Sequence, residues 1–154
     1  MKDWKTFAVE ELVPHAGAMM LLERVLEFAP ETMVAEVIVR ADGLFDDGCT
    51  VPAWLGIEYM AQTIAALGGM KRKLAGKAIN LGFLLGTRRY DCNVETFAVG
   101  TVLTVSVKRL IQDQGLGVFD CRLTGEGITA SAKLNVYQPD AAVNQVITTE
   151  DNHE

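Results

Sequence analysis

Apolar and polar residues alternate along several stretches of the chain, as expected of strands with one face in a core and the other in water. MVAEVIVR, residues 33–40, alternates in this way, and MMLLERVLEFA, residues 19–29, reads as a strand or the entry to one. Four further strands are predicted at about 81–91, 99–112, 117–124 and 128–137. Gly115, Gly125 and Gly127 fall between the last three, which marks them as antiparallel neighbours joined by tight turns. A short helix is predicted over residues 7–12, ended by Pro14, and the turn-rich ADGLFDDGCTV, residues 41–51, reads as a loop.

One stretch breaks this rhythm. VPAWLGIEYMAQTIAALGG, residues 51–69, is apolar almost all round and holds a single charge, Glu58. Pro52 suits the first position of a helix, where its missing N–H costs nothing. The helix is predicted to run to about Arg72, its end marked by Gly68, Gly69 and the basic Lys71, Arg72 and Lys73. Two strands, a long apolar helix and four more strands predict an α+β fold, with the helix packed on an antiparallel sheet. A single domain over residues 1–138 and a polar tail over 139–154 are expected. Residues 53–70 are long enough to span a bilayer, but Glu58, Gln62 and the glycines favour a buried helix in a water-soluble fold.

Composition narrows the function classes. With 154 residues the chain is long enough for a real core, and its net charge of −6 argues against nonspecific nucleic-acid binding. Cys49, Cys92 and Cys121 are too few for a disulfide scaffold and have no CxxC spacing. Two histidines leave no zinc constellation to write, so no metal and no other cofactor is expected. The N-terminus lacks the continuous apolar stretch of a signal peptide, which predicts a cytoplasmic protein with reduced thiols.

An ionised carboxylate is expensive to bury, so Glu58 needs a reason. One is a structural ion pair with Arg24 or Arg88. The other is chemistry, because a carboxyl in an apolar helix can keep a proton for donation. Gln62 lies one turn on, on the same helix face, where it can hydrogen-bond the carboxyl. Met60, Ala65, Ala66, Gly68, Gly69 and Met70 suit either the wall of an apolar slot or ordinary core packing.

The order of elements resembles the hotdog fold, a curved antiparallel sheet wrapped around a central helix. VPHAGAMMLLERVLEF resembles the opening of the small 3-hydroxyacyl-ACP dehydratases, and VPAWLGIEYMAQTIAALGG resembles their central helix. GFLLGTRRYDC, VGTVLTVSV and GEGITASAKLNVY resemble their later strands, so the likeness covers about residues 9–137. Leu-Gly-Ile-Glu-Tyr-Met-Ala-Gln is most similar to the hotdog dehydratases that accompany aryl-polyene pathways.

The resemblance implies a dimer that makes a trans-2-enoyl thioester from a 3-hydroxyacyl thioester. Glu58 takes the place of the helix acid that serves the leaving hydroxyl, and Gln62 orients it. Ala53 and Trp54, at the start of the helix, would offer backbone N–H groups to the thioester carbonyl. Phe45 falls in the substrate-binding loop. In that loop the family has a catalytic histidine, and here Leu44 stands in its place, fourteen positions before Glu58. His153 belongs to the tail, which leaves His15 either as a displaced base or as an anchor for the N-terminal segment. Asp46 and Asp47 are weaker candidates, as is Cys49, whose thiolate a following helix N-terminus would favour.

The implied partner is an acidic acyl carrier protein, with Lys71, Arg72, Lys73, Arg88 and Arg89 as candidate contacts. Arg88 and Arg89 are successive strand positions and should face opposite sides of the sheet. The missing loop histidine leaves two further readings open: a hotdog thioesterase, or a degenerate subunit that supports an active hotdog partner.

Overall fold

The computed structural model describes residues 4–13, 20–41, 48–78 and 83–137. His15, Leu44, Phe45, Asp46, Asp47, His153 and the tail over 139–154 lie outside the described residues. Among those described, the strands are β1 (Arg24–Ala29), β2 (Thr32–Ile38), β3 (Thr50–Pro52), β4 (Phe83–Cys92), β5 (Thr96–Ala98), β6 (Val102–Asp113), β7 (Leu116–Gly125) and β8 (Ile128–Tyr137). The helix α1 spans Leu55–Leu74. Six of the strands form one sheet in the order β1-β2-β6-β7-β8-β4, and β3 and β5 form a separate ribbon. All pairs are antiparallel. A long helix on an antiparallel sheet is the hotdog architecture.

Alternation selects the face of the sheet that meets the helix. Met33, Ala35 and Val37 of β2, Leu103, Val105 and Val107 of β6, Phe119, Cys121 and Leu123 of β7, and Leu134 and Val136 of β8 are all buried. Between them run the more exposed outward positions. Each such buried Leu, Val or Phe contributes roughly 1.5–3 kcal/mol relative to exposure. The register between β2 and β6 is unbroken from Thr32↔Lys108 to Ile38↔Val102, which carries the buried face across both strands.

Several expectations are corrected. The N-terminal helix over 7–12 is instead two short 3-10 turns, Trp4–Thr6 and Val9–Glu11. Pro52 does not begin α1; it ends β3, opposite Thr96, because the preceding loop closes into a ribbon with β5. The helix reaches Leu74, close to the expected end at Arg72, and Gly68 and Gly69 lie inside it rather than marking its end. It ends where Gly76 adopts φ +72°. There the Lys77 N–H donates to Arg72 O at 2.8 Å and the Gly76 N–H to Lys73 O at 3.0 Å. Gly69 serves a different need: an added Cβ would lie 1.8 Å from the carbonyl oxygen of Leu12.

Nor does the sheet cover the helix on all sides. Ile57, Glu58, Ala61, Ala65 and Gly68 are only partly buried and share an arc of roughly 100° on the helix. Met60, Ala66, Gly69 and Met70 are fully covered, so of the small and flexible residues expected to line a slot only Ala65 and Gly68 belong to the more open stripe. Among the described residues, no helix is long and apolar enough to cross a membrane.

Candidate active site

Glu58 stands one turn into α1, on the half-buried stripe rather than deep in the core. Gln62, fully buried at 0 % exposure, follows it on the helix. Its side-chain Nε2 donates to Glu58 Oε1 at 3.2 Å, while its Oε1 accepts the Leu21 backbone N–H at 2.9 Å. Both ends of the amide are thereby satisfied, as a buried polar group requires. Arg24 is not the partner of Glu58; it pairs with Glu36 at 2.8 Å.

The described residues on either side of 14–19 both meet this same helix. On one side Leu12 meets Gly69, and on the other Leu21 caps Gln62. Arg40, two residues beyond β2, donates to the Met20 carbonyl.

At the helix entry, the Ala53 N–H donates to Glu95 O at 2.9 Å, which corrects the expectation that this amide faces a substrate carbonyl. The Ala53 carbonyl accepts both the Gly56 N–H, at 3.0 Å, and the Tyr90 hydroxyl, at 2.7 Å. Ala53 is therefore a buried knot that ties the ribbon, the helix and β4 together. Trp54 projects outward at 50 % exposure. Beneath the first turns, Tyr59 stacks on Phe97 with ring centroids 6.2 Å apart.

Sequence reasoning missed Tyr90. It reaches the helix because β4 carries a bulge between Arg88 and Asp91, where Arg89 takes φ +52°. The bulge also breaks the expected alternation, so Arg88 and Arg89 are both exposed rather than on opposite faces. Arg89 pairs with Asp91 at 2.8 Å. Burial, with a smaller contribution from Cys92, holds the Tyr90 phenol above its ordinary value, so it remains a protonated donor. Gly56 was the available signal: a Cβ there would lie 2.1 Å from the Tyr90 hydroxyl oxygen.

The basic candidates separate in the same way. Lys71 sits beside the bidentate Glu31–Arg109 pair, and burial together with the Arg109 guanidinium holds its ammonium below the ordinary lysine value. Arg72 donates to the Ala78 carbonyl. Cys49 precedes the strand β3 rather than a helix, which removes the dipole argument for its reactivity.

Comparison with known proteins places this geometry among relatives. The family model ApeP-like, described as ApeP dehydratase, matches residues 7–148. The dehydratase heterocomplex ApeI:P from Xenorhabdus doucetiae contains a chain 34% identical to this one, at TM-score 0.78, with 92% of this chain and 97% of that one covered. A hypothetical thioesterase with coenzyme A from Streptococcus pneumoniae TIGR4 is 12% identical at TM-score 0.55, covering 75% of this chain and 84% of the other. The PaaI protein of the E. coli phenylacetic acid degradation operon is 13% identical at TM-score 0.56, covering 73% and 80%. These last two share the fold alone. Among curated proteins no match is found.

Proposed function

Because the chain belongs to the ApeP-like dehydratase family, we propose that it converts a 3-hydroxyacyl thioester on an acyl carrier protein to the trans-2-enoyl thioester during polyene chain synthesis. In this elimination a base takes the proton from C2, the C3–O bond breaks, and the departing hydroxyl leaves as water with a proton from an acid. Glu58 is the acid. Gln62 positions it, and the run of hydrogen bonds from Leu21 through Gln62 to Glu58 is the observation that carries the reading.

His15 is the base in this scheme. In the sequence it falls between Leu12 and Leu21, which both meet the helix that presents Glu58, and this supports its assignment. Trp54, at the helix entry, and Phe45 contact the substrate. Ala53 contributes by shaping the entry turn rather than by its own N–H.

The second subunit is another hotdog chain, as in the ApeI:P heterocomplex. Support comes from the partly covered stripe of Ile57, Glu58, Ala61, Ala65 and Gly68, and from the outer position of β4 in the sheet. The acidic carrier would meet basic side chains such as Lys73 and Arg88.

The test is to follow the acyl group by mass spectrometry after adding a medium-chain 3-hydroxyacyl carrier protein, with and without a second hotdog chain. Loss of one water supports the proposal. Release of free acid would assign a thioesterase instead, and water loss that depends wholly on the second chain's own acid and base would make this subunit a supporting one.

A further inference from the structure

Tyr90 lies outside the group from Leu21 to Glu58, yet the chain makes three accommodations to seat it. The first is the backbone of Arg89, at φ +52°, a left-handed conformation that a non-glycine residue adopts only at a cost. The second is the β-bulge between Arg88 and Asp91, which re-aims the strand toward the helix. The third is Gly56, in the first turn of α1, where any Cβ would collide with the Tyr90 hydroxyl at 2.1 Å.

Together they deliver one hydroxyl to the Ala53 carbonyl, at 2.7 Å. The same carbonyl accepts the Gly56 N–H, and the Ala53 N–H is held by Glu95. The Ala53–Trp54 peptide is trans, so its N–H points opposite to its carbonyl. Holding the carbonyl toward Tyr90 therefore aims the Trp54 N–H away from Tyr90. That peptide immediately precedes α1, one turn before Glu58.

We infer that Tyr90 is a positioning residue: its hydroxyl locks the Ala53–Trp54 peptide and the first turn of α1 in the orientation that dehydration uses. The inference rests on the dehydratase reading. It is of the phenol as a neutral hydrogen-bond donor, and no proton leaves Tyr90 during the reaction.

The Tyr90→Phe variant keeps the ring and removes only the donor. Two measurements decide the matter. Hydrogen exchange read on peptides covering residues 53–57 should accelerate about tenfold, the worth of one hydrogen bond, with residues 60–67 unchanged. In the full assembly, kcat for dehydration should fall about tenfold while KM stays within twofold, since the ground-state contacts remain. Unchanged exchange over 53–57 overturns the inference, whatever the kinetics. Faster exchange with unchanged kcat also overturns it, because the turn would then orient nothing the reaction uses. A rise in KM alone, or exchange that accelerates along the whole helix, reduces Tyr90 to a packing residue and overturns it too. Should the wild-type assembly fail to dehydrate, the dehydratase reading falls and takes the positioning role with it, whereas normal turnover in the variant removes the positioning role alone.

Discussion

The Gln62 side-chain amide donates to Glu58 Oε1 at 3.2 Å and through its oxygen accepts the backbone N–H of Leu21 at 2.9 Å. A single buried amide thus couples the helix carboxyl to the backbone of Leu21. The coupling is directional. A leucine of similar size at position 62 fills the space and satisfies neither partner.

Gln62→Leu should therefore be costly in two separable ways. Leaving the Leu21 N–H without its acceptor should lower stability by about 1–3 kcal/mol, measured by denaturant unfolding. Loss of the tether on Glu58 should lower kcat by up to about 10²-fold, the scale of a displacement of 1 Å at a reacting group. A variant with wild-type kcat would show that Gln62 only supports the fold.

Replacing glycine by alanine inside a helix ordinarily stabilises it by about 1 kcal/mol. At position 69 the sign should reverse. The new Cβ would meet the Leu12 carbonyl oxygen at 1.8 Å, and backbone cannot move aside as a flexible side chain can. Gly69→Ala should destabilise by about 1–3 kcal/mol, with a matching fall in Tm on thermal unfolding. A rise in Tm would contradict the close approach between α1 and the Leu12 turn.

Legibility in the sequence followed the strength of local signals. The last strand, 128–137, was readable to the residue because strict alternation follows Gly127 in its turn. The Glu58–Gln62 contact was readable because helical spacing alone brings i and i+4 together. The ribbon of β3 and β5 was not, since three-residue strands carry too little pattern to show a period. Missing that ribbon also misplaced Pro52, which looks like a helix start until Thr96 is seen opposite it. Tyr90 was hidden for a similar reason. A bulge shifts every side chain after it, and Arg89 gives no sequence sign of a positive φ.

Cys121 and Cys49 should behave oppositely toward alkylation. Burial, with a smaller contribution from Asp120, pushes the Cys121 thiol up to about 12, from an ordinary 9.0, while Cys49 is exposed. At mildly alkaline pH, iodoacetamide should label Cys49 in the native protein and reach Cys121 only after unfolding. The linkage has a definite sign: the raised thiol contributes stability that is complete below about 9 and declines as pH rises toward about 12. Cys121→Ala should remove that part of the alkaline slope in denaturation midpoints measured across this range. Rapid native labelling of Cys121 would contradict its burial.

As the proposed acid, Glu58 would supply the proton to the departing hydroxyl. Glu58→Gln preserves shape and a hydrogen-bonding side chain but cannot donate a carboxyl proton. The most direct measurement is single-turnover dehydration of a 3-hydroxyacyl carrier protein by the assembled enzyme, wild type against Glu58→Gln, with any partner subunit's own acid removed in both. The rate should be lower by about 10²- to 10⁴-fold in the variant, the usual contribution of a general acid, with circular dichroism and assembly unchanged. Wild-type turnover by Glu58→Gln would contradict this role, and would place the acid elsewhere in the assembly.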